Sequence, residues 1–441
     1  MRTGARLRAA VEVLDDILLR HRPAASALAD WGKSHRFAGS GDRAAIGNLV
    51  YDVLRRRLSL AARMGTDATR ALVIAAAGRA LALSGEAVEA AADGSEHALE
   101  PLSAEERDGL SHAIPAEADD WVQGDIPEWL APSFRRAFGA RTVAEGKALA
   151  ERAPVDLRVN TLKADREKLL KTLAAFKAQP TPFSPIGVRI AAPDGPGRTP
   201  NVEAEAGHGK GWFEVQDEAS QLAALLAGAA PREQVLDLCA GAGGKTLALA
   251  AGLQNTGQIY AYDRDKSQLR PIFERLKRAG VRNAQVLDAG NEAALAALGA
   301  RFDCVFVDAP CTGSGVWRRR PDAKWRLRPG QLAERIAEQR TVLARAAGLV
   351  KPGGRLVYVT CSVLPEENAD QVAQFLAGPD MAAAFSTASM AAVWRARLGS
   401  DAPASADAGA DHMLLTPASH ATDGFFIAVL ARSTTTVSVG S

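Results

Sequence analysis

This chain has few cysteines, and their arrangement excludes two common uses. Its 441 residues include only 4 cysteines, namely Cys239, Cys304, Cys311 and Cys361. Zinc sites use closely spaced Cys or His ligands, but no Cys-x-x-Cys pair occurs here and no histidine stands at ligand spacing beside a cysteine. We therefore expect no metal site and no disulfide. A chain of this length buries enough apolar surface to fold without either.

Excess charge and long apolar runs are also absent. The net charge is only +2 at pH 7, which by itself favours neither nucleic acid nor membrane as a partner. No segment comes near the roughly 18 uninterrupted apolar residues of a membrane span, and no apolar signal segment follows Met1. These absences argue against secretion and membrane insertion, so we expect a cytoplasmic protein.

The first 225 residues predict two domains. Residues 1–125 predict an all-α domain, because apolar residues recur at helical spacing from Leu7 to Leu18, from Ile46 to Leu54 and through the alanine-rich stretch from Arg70 to Leu83. Residues 126–225 predict a small α+β connecting subdomain, in which the alternation over residues 157–161 indicates an edge strand. Six prolines and three glycines between residues 179 and 200 predict a surface loop.

Residues 226–432 predict an α/β fold with a doubly wound parallel sheet. Short apolar segments alternate there with helical ones, which is the pattern of such sheets. The candidate strands are Val235–Leu238, Gln258–Tyr262, Gln285–Leu287, Asp303–Val307, Arg355–Val359 and Phe425–Leu430. The Ser/Thr-rich residues 433–441 predict a disordered tail.

Two cysteines follow two of these strands directly. Cys311 stands in Asp308-Ala309-Pro310-Cys311, and Cys361 in Thr360-Cys361-Ser362. Open α/β sheets bind ligands beyond the carboxyl ends of their strands, so both thiols are expected to face one pocket. An accessible thiolate adds reversibly to an electron-poor ring, and a second thiol nearby can move the proton that ends the reaction.

A glycine-rich loop, residues 237–246, follows the first strand. A phosphate-binding P-loop would need a glycine where Cys239 stands, and a dinucleotide fingerprint would need one where Thr246 stands. Asp263, after the second strand, can accept hydrogen bonds from both ribose hydroxyls of an adenosine cofactor. Asp288, after the third strand, is placed to reach the adenine. S-adenosylmethionine, which has an adenosine and no phosphates, fits these residues.

These motifs resemble those of the NOP/Sun-type RNA cytosine-5 methyltransferases, in particular the bacterial ribosomal RNA enzymes with an N-terminal NusB-like domain. The resemblance covers nearly the whole chain. Its most specific parts are residues 308–311 and 360–362, the latter followed by Pro365-Glu366-Glu367-Asn368, with support from residues 157–160, 213–220 and 422–426. The family's loop usually reads Cys-Ala-Ala-Pro-Gly-Gly-Lys-Thr; here Gly241 and Ala242 replace Ala and Pro, which raises the cost of ordering the loop by about 1 kcal/mol.

The resemblance implies a Rossmann-like class I methyltransferase sheet over residues 226–432 and a NusB-like domain over residues 1–125. It also implies that Cys361 is the nucleophile, that Cys311 assists product release, and that Asp308 contacts the base and the cofactor. The implied cofactor-binding residues are Cys239, Ala240, Gly241, Ala242, Gly243, Gly244, Lys245, Asp263, Asp288 and Asp308. For Lys245, three roles stay open: holding the loop, contacting the base or favouring a thiolate.

A basic and aromatic run, residues 317–328, predicts contact with RNA. It holds six cations, one acid and two tryptophans. Cations meet phosphates and aromatic faces stack on unpaired bases, although the tryptophans could instead anchor a core. Including two residues of the connecting subdomain, the predicted RNA-binding residues are Arg158, Asn160, Arg318, Arg319, Arg320 and Lys324.

The sequence therefore predicts S-adenosylmethionine-dependent methylation of cytosine carbon 5 in RNA through a covalent cysteine adduct. The NusB-like domain favours small-subunit ribosomal RNA as the substrate. Two alternatives stay open: a transfer RNA cytosine-5 methyltransferase, and a non-catalytic RNA-binding assembly or antitermination factor, which the altered Gly241-Ala242 loop favours. We expect RNA as the partner, no metal, no membrane and a monomer.

Overall fold

A computed structural model describes residues 1–434 of the chain. Most of the predicted tail, residues 435–441, therefore lies outside the described residues. The chain divides into two compact units. The first unit contains residues 1–153, 192–199 and 316–328, and the second contains residues 154–191, 200–315 and those from 329 onward. The first unit thus extends past residue 125 and takes in two later segments.

The first unit is helical. Its helices are α1 (Thr3–Leu19), α2 (Ala24–Ser34), α3 (Ser40–Arg55), α4 (Arg57–Met64), α5 (Thr69–Leu81), α6 (Gly85–Ala91), α7 (Ala104–Ser111), α8 (Asp120–Gln123), α9 (Ala131–Phe138), α10 (Thr142–Leu149) and α18 (Pro321–Arg326). The three segments with predicted helical periodicity correspond to α1, α3 and α5. Their apolar faces pack on one another and bury Leu7, Leu14, Leu49, Val53 and Ile74 completely or nearly so.

The second unit begins with a small antiparallel sheet. Its strands are β1 (Val155–Val159), β2 (Gln179–Pro180), β3 (Gly187–Ile190) and β4 (Phe213–Val215), in the order β2-β3-β1-β4, with helices α11 (Arg166–Thr172) and α12 (Ala206–Gly209). β1 pairs with strands on both sides, so the predicted edge position is wrong. The neighbour that the sequence did not predict is β3, which lies in the proline-rich segment predicted to be a loop.

The remaining elements build the large sheet of the second unit. Its strands are β5 (Gln234–Asp237), β6 (Gln258–Ala261), β7 (Ala284–Val286), β8 (Phe302–Asp308), β9 (Val350–Thr360), β10 (Phe385–Thr387), β11 (Met413–Leu415) and β12 (Phe425–Arg432). The helices are α13 (Glu218–Leu226), α14 (Gly244–Gly252), α15 (Lys266–Leu269), α16 (Ile272–Ala279), α17 (Glu292–Ala296), α19 (Pro329–Ala347), α20 (Ala369–Leu376), α21 (Pro379–Ala384), α22 (Met390–Leu398) and α23 (Pro417–His420).

The order of the large sheet places a ligand crevice at β5. Five strands run parallel in the order β9-β8-β5-β6-β7, and β12 pairs antiparallel with β9. The chain moves outward from β5 in both directions, so the crevice beyond its carboxyl end is the topological switch point where such sheets bind ligands. The predicted α/β class is confirmed, since each candidate strand overlaps an observed one. Within residues 1–434, no helix is long and apolar enough to span a bilayer.

Candidate active site

Cys311 and Cys361 lie side by side where two parallel strands end. The register of β8 and β9 pairs Asp308 with Val359, so the chain leaves both strands at the same edge of the sheet. The Sγ atoms of the two cysteines are 3.4 Å apart, and both side chains are half-buried. The structure therefore brings the two predicted thiols to one place.

Three of the four cysteines have a raised pKa. The hydrogen bond to Cys361, together with burial, raises the pKa of Cys311 well above its ordinary value. Cys311 therefore holds its proton more tightly than an ordinary thiol does. Burial also raises the pKa of Cys239 well above its ordinary value and that of Cys304 to about 11. These two thiols are poor nucleophiles, because reactivity requires the thiolate.

Lys245 and Asp308 form an ion pair beside the thiols. The Lys245 Nζ lies 2.7 Å from a carboxylate oxygen of Asp308 and 4.9 Å from the ring centre of Phe425. Burial is the largest single effect and lowers the pKa of Lys245, but the charge and hydrogen bond of Asp308, together with Cys361 and Asp237, raise it, and the net shift is upward. The side chain therefore stays charged. The cation also interacts electrostatically with Cys361.

The turn between β5 and α14 depends on glycine. Gly243 has a φ of +85°, and a Cβ built on it would lie 2.5 Å from the side chain of Ile272. Gly241 has a φ of +50°, and its N–H donates to Asp263 Oδ2 at 2.8 Å. This hydrogen bond joins the turn to the residue that follows β6. Cys239, Ala240 and Ala242 occupy the rest of this turn, as the motif predicts.

Asp237, the last residue of β5, is hydrogen-bonded to Thr246 at the other end of the glycine-rich loop. Its Oδ2 accepts a hydrogen bond from Thr246 Oγ1 at 2.6 Å, while its buried Oδ1 has no hydrogen-bond partner within residues 1–434. Burial raises the pKa of Asp237 to about 7. Sequence reasoning did not single out this carboxyl group. The signal was present, because Asp237 ends its strand as Asp308 ends β8.

The crevice presents carboxylates rather than cations. Asp263 and Asp308 follow or end β6 and β8, and both act electrostatically on the buried Asp237 at the end of β5. The cation Lys245 is already paired with Asp308. Acids that accept hydrogen bonds from hydroxyl groups and attract a sulfonium fit S-adenosylmethionine, whereas a polyphosphate would be repelled. Among residues 1–434, no group of three His, Cys, Asp or Glu side chains is arranged to hold a metal ion.

Asp288 lies just past β7 at the same edge of the sheet, and its side chain is exposed. Asp263 accepts a hydrogen bond from the glycine-rich loop, whereas within residues 1–434 the Asp288 carboxylate accepts none from it. Its predicted contact with adenine stays a prediction.

Arg158 and Asn160 are buried inside the second unit. Arg158 Nε donates to Gln216 Oε1 at 2.6 Å, and Asn160 Nδ2 donates to the carbonyl oxygens of Gly211 and Ala279, each at 2.8 Å. Burial lowers the pKa of Arg158 to about 10. Asn160 thus joins the small sheet to the end of α16, and Arg158 Nη2 donates to the Gly244 carbonyl oxygen at the start of α14 at 3.4 Å. We therefore leave them out of the RNA surface that the sequence predicts.

The two tryptophans of the basic run belong to the core of the first unit. The Trp317 ring is buried and stacks on Phe134, with centroids 5.7 Å apart and an interplanar angle of 15°. Trp325 Nε1 donates to the carbonyl oxygen of Leu54 at 2.6 Å. The alternative interpretation of these residues, as core anchors, thus matches their positions.

The cations of the basic run divide into buried and exposed ones. Lys324 Nζ donates to the carbonyl oxygens of Arg55 and Asp125 at 2.8 Å each, and burial lowers its pKa to about 8. Arg318 is buried as well. Arg319 and Arg320 are exposed at the start of α18 and can reach a phosphate. Only these two of the six predicted RNA-binding residues lie at the surface.

Family models match two regions of the chain. Residues 224–431 match the model described as 16S rRNA methyltransferase RsmB/F. Residues 126–195 match the ferredoxin-like domain of RsmF/B-like methyltransferases. The first match contains both thiols and the glycine loop, and the second contains most of the small sheet.

Curated relatives point in the same direction. The chain is 34% identical over 326 residues to ribosomal RNA small subunit methyltransferase B of Sodalis glossinidius, covering 73% of this chain and 70% of that protein. It is 36% identical over 252 residues to the protein of that name from Salmonella paratyphi B, covering 57% of each. The chain thus spans just over half the length of the Salmonella relative.

A solved structure is also similar. A methyltransferase homolog protein from Pyrococcus horikoshii is 26% identical with a TM-score of 0.58, over 72% of this chain and 99% of that one.

Proposed function

The chain belongs to the 16S rRNA methyltransferase RsmB/F family, and we propose that it methylates carbon 5 of a cytosine in small-subunit ribosomal RNA. The observation that carries this proposal is the pair of thiols 3.4 Å apart beside the glycine-lined crevice. Carbon 5 of cytosine is too weak a nucleophile to accept a methyl group unaided. Addition of a thiolate at carbon 6 makes carbon 5 enamine-like, so a cysteine is the group this reaction requires.

Cys361 is the thiol that adds to carbon 6. Its sulfur lies 3.4 Å from that of Cys311, and the Lys245 ammonium interacts with it electrostatically. Bound S-adenosylmethionine supplies the methyl group as an electrophilic sulfonium. The proton on carbon 5 must then leave before the bond between Cys361 and carbon 6 can break. The contact between Cys311 and Cys361 supports Cys311 as the group that assists that release.

Asp308 and Lys245 hold the target base and the charge that develops on it. A hydrogen bond that the Asp308 carboxylate accepts from a protonated ring nitrogen 3 of the cytosine adduct would stabilise the adduct. The ion pair with Lys245 fixes the carboxylate at 2.7 Å, so the carboxylate is oriented before the base arrives. Of the three roles that the sequence left open for Lys245, favouring a thiolate is the one supported by an interaction, the electrostatic one with Cys361. Orienting Asp308 is a further role, supported by the ion pair.

A cytosine in a helix cannot reach this pocket, so we expect a flipped or single-stranded target. Arg319 and Arg320 are the exposed cations that we propose as phosphate contacts.

We further infer a monomer that works in the cytoplasm, where its RNA substrate is found. Sedimentation of the purified protein at several concentrations tests the monomer.

The direct test supplies the protein with its substrates. Purified protein, labelled S-adenosylmethionine and total RNA from cells that lack the protein are incubated, and 5-methylcytosine is mapped by bisulfite sequencing. We expect label at a cytosine of small-subunit ribosomal RNA and none with the Cys361→Ala variant. Label confined to transfer RNA would instead identify a transfer RNA methyltransferase. No label in any RNA would favour the non-catalytic RNA-binding factor.

A further inference from the structure

Two neighbouring residues behind the thiols have no part in the mechanism described so far. Glu367 and Asn368 lie in the short turn between β9 and α20, with exposed fractions of 0% and 2%. An acid and an amide are costly to bury unless their polar atoms find partners. Their partners are the two segments that carry the catalytic cysteines.

Glu367 holds the segment around Cys311 on both sides. One carboxylate oxygen accepts hydrogen bonds from the Thr312 N–H at 2.8 Å and from Gln339 Nε2 at 3.1 Å. The other oxygen accepts from Thr312 Oγ1 at 2.5 Å. Gln339, buried on α19, also donates to the Pro310 carbonyl oxygen at 2.9 Å. The residues immediately before and after Cys311 are therefore both tied to the Glu367 carboxylate.

Asn368 holds the segment around Cys361 in the same way. Its Oδ1 accepts a hydrogen bond from Thr360 Oγ1 at 2.5 Å, and its Nδ2 donates to the Ser362 carbonyl oxygen at 2.9 Å. Thr360 and Ser362 are the residues on either side of Cys361. Both are completely buried, so water cannot replace these bonds.

The two segments are also joined to each other. The hydroxyls of Ser314 and Ser362 are 2.9 Å apart, and the Gly315 N–H donates to the Cys361 carbonyl oxygen at 3.0 Å. The distance between the sulfurs is therefore set by the surrounding backbone. A buried backbone network of this kind keeps reacting groups in place while bonds form and break.

We propose that Glu367 and Asn368 are positioning residues with separate duties: Glu367 holds Cys311 for product release, and Asn368 holds Cys361 for attack on the base. This inference rests on the proposed function. Each duty follows from which cysteine the residue brackets. Glu367 therefore affects the step that resolves the covalent adduct, and Asn368 affects the step that forms it.

The test measures these two steps separately. The Glu367→Ala and Asn368→Ala variants are mixed with labelled RNA and S-adenosylmethionine, and the covalent protein–RNA adduct is followed over time on denaturing gels. We expect Glu367→Ala to accumulate the adduct, with release slowed at least tenfold and formation little changed. We expect Asn368→Ala to form the adduct at least tenfold more slowly and to accumulate none. Glu334→Ala and Asn201→Ala, which alter exposed residues of the same types, serve as matched controls.

Milder variants cover the case in which an alanine variant fails to fold. Thr312→Val removes one hydroxyl bond to Glu367, and Thr360→Val removes the hydroxyl bond to Asn368. Each is expected to slow the same step as the alanine variant of its partner. Equal slowing of both steps in both variants, or the opposite assignment of steps, overturns the proposal. Wild-type protein that forms no adduct and no 5-methylcytosine would instead contradict the proposed function itself.

Discussion

Asp237 makes the stability of the second unit depend on pH in a direction unusual for an aspartate. Its carboxyl group is completely buried, has one hydrogen bond, from Thr246, and leaves Oδ1 without a partner. Burial raises its pKa from 3.8 to about 7. Between these values the folded chain binds more protons than the unfolded chain, so the free energy of unfolding falls as the pH rises. The contribution is complete below pH 3.8 and is lost as the pH rises through about 7.

The size of this effect follows from the shift. About three pKa units correspond to about 4 kcal/mol, since each unit is worth about 1.4 kcal/mol. An Asp237→Asn variant keeps the shape and stays neutral at every pH. We therefore expect the free energy of unfolding of the variant, relative to wild type, to increase by up to about 4 kcal/mol between pH 4 and pH 8.

Urea unfolding followed by circular dichroism over this pH range measures the difference. Asp380→Asn, which removes an exposed carboxylate on α21, is the matched control and should show no such increase. A difference between Asp237→Asn and wild type that stays constant from pH 4 to pH 8 would refute the reasoning. A wild-type protein that gains stability relative to the variant as the pH rises would refute it more strongly.

Three further variants test other contacts. Lys324→Met removes the donor to the Arg55 and Asp125 carbonyl oxygens, and should lower the free energy of unfolding by about 1 to 3 kcal/mol for each carbonyl oxygen left unpaired. The half-exposed Lys351→Met control should cost less than about 1 kcal/mol. Gly243→Ala introduces strain of about 1 to 3 kcal/mol into the loop, so calorimetry should show at least roughly tenfold weaker S-adenosylmethionine binding. Its control, Gly330→Ala, has no atom within 4 Å of the added Cβ and should bind normally. Lys245→Met leaves Asp308 without its partner, and kcat should fall by about 100-fold while RNA affinity is kept.

The large sheet and the thiol pair could be predicted because each depends on local pattern and one general rule. Apolar β-branched segments mark buried parallel strands, and all six candidates overlap observed strands. The carboxyl ends of parallel strands meet at one edge of the sheet. The two motifs that contain Cys311 and Cys361 therefore converge, although the cysteines are fifty residues apart in sequence. No knowledge of side-chain packing was needed for either conclusion.

The small sheet and the RNA-binding residues depended on tertiary contacts that no local pattern reveals. Proline and glycine around β3 predict a loop, yet Gly187–Ile190 still pairs with β1, and that pairing buries Arg158. The run with Trp317 and Lys324 has the composition of an RNA surface, yet it packs into the helical unit. Charge and aromatic content identify a segment that can bind RNA. Which face that segment presents is decided by its neighbours.

The roles of Asp237, Glu367 and Asn368 were missed for a related reason. The hydrogen bonds of Glu367 reach Thr312 and Gln339, which are distant in sequence. Asp237 and Asn368 bond to nearer residues, namely Thr246, Thr360 and Ser362, but a motif does not show which residues will face one another. The acid at a strand end and the polar pair after the Thr-Cys-Ser motif were visible signals. Their partners became identifiable only in the folded chain.

The separate duties of the two thiols are tested most directly by trapping the covalent intermediate. Wild type, Cys311→Ala, Cys361→Ala and the double variant are incubated with a labelled ribosomal RNA fragment and S-adenosylmethionine, then separated under denaturing conditions. We expect Cys311→Ala alone to accumulate a stable adduct, attached through Cys361 as mass spectrometry would show. An adduct formed by Cys361→Ala, or a Cys311→Ala variant that releases methylated RNA as fast as wild type, would contradict the account.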